Sequence, residues 1–418
     1  MRHGISVLLV LASGALLLTA RSDGSRLGTT AASPPGNSTA LRPSEDSVLP
    51  GIDVLLRDSL DLVQGKRVGL LTNRAGVDAH GVSTVRRLVA AGVRLVELFS
   101  PEHGFGEAAA PGATVADTVD ATTGLPIYSL YGANRAPTPA ELARLDVLLV
   151  DLQDVGARPF TYVSTTILAM RAAVAAGKRV VVLDRPDPIG CAVQGPVLEP
   201  AYASFIGMLP VPLRHGMTLG ELARFANARL GIHADLVVVP VAGWHRCEWL
   251  DRAGLPWVPP SPNLPDLEAA AWYPGTVLFE ATNLSVGRGT DAPFRQVGAP
   301  WLDGARVARA LARRYGVRVR PVRFTPRAPG DGKYGGVPLG GVRFPRPDRA
   351  RGDPVRDALR LLITLRRLYP DRLVVDSLGL ARRLGRPFTG VTRWPREVAR
   401  FEAARRPFLL YGNRTGPS

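Results

Sequence analysis

The sequence predicts an α/β fold, a Rossmann-like parallel sheet domain followed by a smaller α+β C-terminal domain, and two observations carry that expectation. The first is a repeated pattern: four apolar, β-branched runs each stop at a polar residue, and stretches of helical period separate them. The runs are KRVGLLTN (66–73), VRLVELFSPEHG (93–104), DVLLVDLQD (146–154) and KRVVVLDRPDP (178–188), with STVRRLVAAG, TPAELARL and YVSTTILAMRAAVAAG between them. Strands apolar on both faces that alternate with helices belong in a parallel, doubly wound sheet. The second observation is length, since 418 residues exceed what one ordinary core fills and two domains are expected.

Taken in order, the chain opens with a short positive start and an apolar run from Ile5 to Leu18, which reads as a secretory signal peptide over residues 1–20. The run is shorter than the roughly 18 to 20 residues that span a bilayer, so no stable membrane anchor is expected. Arg21 stands where a lipoprotein needs its cysteine. Residues 21–48, rich in Ser, Thr, Gly and Pro, read as a flexible tether. Residues 49–232 read as the Rossmann-like catalytic domain and 233–418 as the auxiliary one. Past the fourth run, MTLGELARFANARLG reads as a helix and ADLVVVPVAGW as a further strand. In the second half DGARVARALARRYG and DPVRDALRLLITLRRLYP read as helices, KYGGVPLGGVRF as a strand pair about a glycine turn, and PPSPNLP as a rigid polar turn. Thr138 with Glu141 and Thr218 with Glu221 have capping-box spacing, which assigns both glutamates to structure.

Composition excludes several classes of function. The formal charge of +16 comes from arginine, lysine occurring only at Lys66, Lys178 and Lys333. No basic run is interleaved with aromatics, so nucleic acid is not an expected partner. The arginines of RVARALARRYG and LRLLITLRRLY read as solvated helix faces. Cys191 and Cys247 permit one disulfide in an exported chain and argue against a cysteine metal cluster. The six histidines form no i, i+4 pair and no HExxH, so no metal is expected. The first run is not followed by GxGxxG, and neither a Walker nor a GxSxG sequence occurs, so no cofactor is expected.

In doubly wound sheets ligands bind outside the carboxyl ends of the strands. Thr72 and Asn73, Glu102 and His103, Asp151 with Gln153 and Asp154, and Asp184 with Arg185 all fall at such ends, on one rim. Glu102, between Pro101 and Gly104, is fixed in direction and poorly solvated, which suits a general acid. The competing reading makes Glu102 or His103 a turn cap or an ion-pair partner. Asp154 and Arg158 follow the third run, and Asp184 ends the fourth, each with a structural alternative in a cap or local pair. In FEATNLSVGRGTDAPF, Glu280, Asn283 and Arg288 cluster around two glycines; Arg288 could offer its planar fork to a carboxylate if the second domain closes over the first.

The stretches GLLTNRAGVD, SPEHGFGE, DLQDVGARPFTYVST, LDRPDPIG, GPVLEP, LRHGMTLGELARFAN, PSPNLP, WYPGTVLFEATNLSVGRGTDAPF and GAPW, in this order and spacing, resemble the NamZ-type exo-β-N-acetylmuramidase family. The resemblance runs from Gly51 to the C-terminus. It implies a secreted or extracytoplasmic two-domain glycosidase that removes N-acetylmuramic acid from the non-reducing end of peptidoglycan fragments, its partners being muropeptides or disaccharides. It also implies that the catalytic glutamate is Glu102, and we expect the adjacent His103 to tune or orient it. The second group is then Asp151, Asp154, Asp184 or the substrate's own 2-acetamido oxygen. Asn73, Arg158, Arg214, His215, Glu280, Asn283 and Arg288 are the candidate substrate ligands, the three arginines for the lactyl carboxylate. Many members carry a cysteine before GGV, where this chain has DGKYGGVPLGG. A non-catalytic muropeptide-binding protein on the same fold is the alternative.

Overall fold

The four apolar runs form the middle of one sheet. The computed structural model describes residues 47–106, 109–110 and 112–413; the expected signal peptide and all but the end of the expected tether lie outside them. The strands are β1 (Val68–Thr72), β2 (Leu95–Ser100), β3 (Thr118–Val119), β4 (Pro126–Ser129), β5 (Val147–Asp151), β6 (Arg179–Leu183), β7 (Gln194–Val197), β8 (Pro212–Arg214), β9 (Leu236–Val239), β10 (Gln296–Ala299), β11 (Arg320–Phe324) and β12 (Leu339–Arg343). The helices are α1 (Gly51–Asp58), α2 (Thr84–Ala90), α3 (Pro139–Leu142), α4 (Tyr162–Ala175), α5 (Leu219–Arg229), α6 (Leu267–Thr276), α7 (Gly304–Tyr315), α8 (Pro354–Leu368), α9 (Ser377–Leu384) and α10 (Pro395–Arg405).

Seven strands pair in the order β3-β4-β2-β1-β5-β6-β9. All neighbours are parallel except β3, which runs antiparallel to β4. This edge pair has no signature in the sequence because β3 is two exposed residues, with no apolar alternation to read. Side chains at successive positions serve opposite faces. Leu70, Leu149 and Val181 join a core with Ile52 and Leu55 of α1 and Leu88 of α2. Leu71, Val150 and Val182 instead join a core that includes Met170 of α4 and Phe225 of α5, and that continues into Phe279, Val342 and Leu362. Both faces are therefore covered, which is why the strands read as continuous apolar runs.

The antiparallel sheet of the second half has the order β10-β12-β11. KYGGVPLGGVRF does not make the expected strand pair. Only Leu339–Arg343 is a strand, and its partners come from elsewhere in the chain. The preceding residues are held away: Lys333 Nζ donates to the carbonyls of Glu280 and Thr282 at 3.0 and 2.7 Å, and Tyr334 OH to that of Asn283 at 2.6 Å. Cys191 and Cys247 are joined in a disulfide, Cα to Cα 4.6 Å, linking the segment after β6 to the one after β9.

The chain passes from β1 to β2 on one side and later returns to β5 on the other. That reversal opens a crevice at the carboxyl ends of β1 and β5, where α/β sheets bind ligands.

Candidate active site

A cavity of about 290 Å³ lies at this rim. Glu102 and His103 reach it from the loop after β2, Thr161 and Tyr162 from the entry to α4, and Ser261, Glu280, Arg288 and Lys333 from the second half. The Pro101–Gly104 turn that presents Glu102 closes through Gly104 N–H to Pro101 O at 3.1 Å. It needs two left-handed residues in succession, His103 at φ 73° and Gly104 at φ 78°. Glycine adopts that conformation freely, whereas histidine does so at a cost of about 1 kcal/mol or more. Its ring bonds offset the cost: Nδ1 lies 2.9 Å from Ala109 O and Nε2 3.1 Å from Ser261 Oγ. A carbonyl can only accept, so the proton sits on Nδ1 and Ser261 donates to Nε2. Burial pushes the imidazole below its ordinary value, more strongly than nearby Glu102 raises it, which keeps this tautomer neutral.

Glu102 is held by three donors. Oε1 accepts from Gly112 N–H at 3.2 Å and Oε2 from Thr161 Oγ1 at 2.7 Å. The Tyr131 hydroxyl is the third, and burial together with the Glu102 charge and hydrogen bond pushes that phenol up to about 12. Either hydroxyl can turn to accept if the carboxyl gains a proton, so the seat suits both protonation states.

The opposite wall is ionic. Glu280 accepts from Arg288 Nη2 and, at 3.3 Å, from Arg383 Nη2. Burial alone would raise the Glu280 carboxyl, but the two guanidinium groups outweigh it and hold it low. Arg288 stacks over Phe294 with 4.9 Å to the ring centroid, and its Nε lies 4.0 Å from Asp331 Oδ2. Its Nη1 has no hydrogen-bond partner. Burial lowers the ammonium of Lys333.

The remaining sequence candidates lie outside the cavity, each consumed by the fold. Asp151 receives Arg185 Nε and Nη2 at 2.5 and 2.9 Å, and the Thr84 hydroxyl, pinning β5 to α2. Asp184 accepts from Thr218 Oγ1, Gly220 N–H and Tyr411 OH at 2.6, 2.8 and 2.5 Å. Burial pushes it up to about 6. Asp154 accepts from Gly156 N–H at 2.8 Å and lies 3.4 Å from Nε2 of the fully buried His215. Arg158 gives its fork to backbone carbonyls, Pro196 and Val211 at 3.1 and 2.6 Å and Arg383 at 2.8 Å. Arg214 donates to Gln194 Oε1 at 3.2 Å and to Ile189 O. Asn283 bridges Arg372 O and Val374 N–H at 2.9 and 3.0 Å. Asn73 is buried just behind the cavity wall, donating at 2.8 Å to the hydroxyl of Tyr162, which donates on to Pro260 O at 2.6 Å.

Sequence reading thus reached Glu102, His103, Glu280 and Arg288 in the cavity and missed Tyr131, Thr161, Ser261, Tyr273, Asp331, Lys333 and Arg383. Thr161 and Ser261 stood inside stretches singled out for other residues. Tyr131 and Arg383 had no local signal, because only the fold brings them near Glu102.

Comparison with known proteins gives concordant matches. Residues 68–268 match the family model for the N-terminal part of the exo-beta-N-acetylmuramidase NamZ, and residues 271–411 that for its C-terminal part. The chain is 43% identical over 347 residues, 82% of its own length and 82% of the relative's, to the peptidoglycan beta-N-acetylmuramidase NamZ of Bacillus subtilis. Two crystal structures of DUF1343 family proteins from Bacteroides fragilis are similar in fold. One aligns with a TM-score of 0.79 at 34% identity, covering 88% of this chain and 99% of that one. The other has a TM-score of 0.70 at 30% identity, covering 88% and 100%.

Proposed function

The chain belongs to the NamZ family of exo-β-N-acetylmuramidases and is an exo-acting glycosidase of peptidoglycan fragments, and on that premise we propose that Glu102 is its general acid. One observation carries the reading: Glu102 is the cavity carboxylate held by neutral donors alone, in a space of about 290 Å³ that suits a single terminal sugar. Glu102 gives its proton to the glycosidic oxygen as the bond from that oxygen to C1 breaks, and the electron pair leaves with the departing sugar.

The partner in this step is the substrate's 2-acetamido oxygen, which closes on C1 and is later displaced by water, whose proton returns to Glu102. Support comes from the placement of Asp151, Asp154 and Asp184, each bonded into the fold outside the cavity. His103, neutral and hydrogen-bonded at both nitrogens, fixes the turn that aims Glu102. The lactyl carboxylate meets Arg288, which lines the cavity and leaves Nη1 unpaired, in preference to Arg158 or Arg214, which lie outside it.

The test is release of nitrophenol from para-nitrophenyl β-N-acetylmuramide and from the matching N-acetylglucosaminide, by the protein and by Glu102→Gln. Release from the muramide alone, cut roughly 10²- to 10⁴-fold in the folded variant, is the expected result. No release by the folded parent leaves the muropeptide-binding alternative. Export to the cell envelope is part of the same proposal, supported by the N-terminal charge and apolar pattern and by the Cys191–Cys247 disulfide. Cell fractionation with N-terminal sequencing of the mature protein checks it; a protein found only in the cytoplasm with Met1 intact refutes it.

A further inference from the structure

The arginine-rich stretches RVARALARRYG and LRLLITLRRLY fall on α7 and α8, which lie side by side with a groove of about 590 Å³ between them. Arg306, Arg309, Arg313 and Arg314 line it from α7 and Arg367 from α8, over a floor of Ala310, Ile363 and Leu368. No acidic residue lines it. Asp303, which feels the charge of Arg306 and Arg309, is at the N-cap of α7 with its carboxylate on the Arg306 N–H. The five arginines carry no ion pair, unlike others of the second half. Arg295 meets Asp266 and Glu268, Arg343 meets Asp291, and Arg349 meets Asp251. Among the described residues, by contrast, none of the five makes an ion pair; Arg306 stacks on Tyr369, and Arg314 stacks on Tyr315 and donates Nε to its hydroxyl at 2.9 Å. Five like charges gathered at one exposed groove raise the local positive potential, which attracts anions.

We propose that the α7–α8 groove is a docking surface for a linear polyanion, a phosphodiester polymer with small aliphatic units of the poly(glycerol phosphate) kind. The charge geometry favours a chain over a small ion. Arg306, Arg309 and Arg313 follow one another at i, i+3 and i+7 on one helix face, so an arginine recurs about every turn, with Cβ atoms about 5–6 Å apart. Guanidinium forks match phosphate oxygens bidentately, and the apolar floor suits aliphatic spacers. Nucleic acid is the poorer fit, because no aromatic side chain lines the groove to stack a base.

The experiment measures binding of a soluble poly(glycerol phosphate) to the full protein across a salt series, beside glycerol 1-phosphate and single-stranded poly(dT). The groove predicts binding of the polymer, little binding of the monomer, and weaker binding of poly(dT). Combining Arg309→Glu, Arg313→Glu and Arg367→Glu weakens polymer binding at least tenfold and reduces the slope of log K against log salt by about 2, at roughly 0.7 per lost phosphate contact. Muramide hydrolysis stays at the parent rate, which shows that the fold and active site are intact. Arg→Gln at the same three positions replaces the set if charge reversal prevents folding. Unchanged polymer binding in a folded triple variant, equal binding of the monomer, or tighter binding of poly(dT) would each overturn the proposal.

Discussion

Tyr131 shows how much of a site can depend on one residue that no motif marks. Its hydroxyl is bonded to Glu102 and its phenol is raised to about 12, so it stays a proton donor throughout the useful pH range. Tyr131→Phe removes one hydrogen bond to a charged group, worth about 1.5–3 kcal/mol. The expected result is a kcat lower by roughly 10- to 100-fold at a nearly unchanged KM, read in steady-state kinetics on the muramide. The arginines separate in the same way. Arg288→Ala should narrow the ratio of kcat/KM for muramyl over glucosaminyl substrate by about 10- to 100-fold, the scale of one lost charged hydrogen bond. Arg158→Ala should leave that ratio alone and cost about 3 kcal/mol of stability in denaturant titration, because two buried carbonyls and one half-buried carbonyl lose their donor. From sequence the two were equivalent candidates. Their neighbours, residues far away in the chain, decide between them.

At the level of elements, local chemistry was legible wherever it is confined to a few residues. Both capping boxes are present as spaced, Thr138 with Glu141 and Thr218 with Glu221. Thr218 does more than its spacing tells, since the hydroxyl that caps α5 also donates to Asp184 at the end of β6. Thr218→Ala is therefore expected to cost about 2 kcal/mol, the upper end for a cap, in thermal or denaturant unfolding. The strands that could be read are those covered on both faces. The exposed β3 could not be, and the glycine turn of KYGGVPLGGVRF was misleading, because Lys333 and Tyr334 are bound to residues 280–284 rather than to a partner strand. The disulfide closes 56 residues of sequence separation. Replacing both cysteines by serine should lower stability by up to about 4 kcal/mol if the chain-entropy account holds. Calorimetry of the oxidised protein and the double variant supplies the comparison.

Across the whole molecule, buried carboxylates set the pH dependence of stability. Burial pushes Asp187 up to about 7 against the opposing pull of His215, and Asp184 up to about 6. Unfolding releases both carboxyls to ordinary values near 4. From about pH 4 the unfolded chain ionises them while the folded one keeps Asp184 protonated to about pH 6 and Asp187 to about pH 7, so the contribution of these two groups to stability is greatest at the acid end of this window and falls as pH rises through it. Asp187→Asn removes one of these groups and keeps an oxygen for the Ile189 N–H. Its expected effect is a gain over the parent on the order of 4 kcal/mol at pH 8 and much less at pH 5, measured by unfolding at both values. The sequence by itself determined the parallel core, the helices between its strands and the turn that carries Glu102, because period and turn chemistry act over a few neighbouring residues. Tertiary structure alone decided which polar groups at the strand ends remain available. Asp151, Asp184, Arg158 and Arg214 are held by buried partners distant in sequence and Asp154 by the turn at Gly156, while Tyr131, Thr161, Ser261 and Arg383 reach the cavity only through strand order and the return of the second half over the sheet. A buried polar group must find a partner wherever the folded chain supplies one, and no local pattern records where that is.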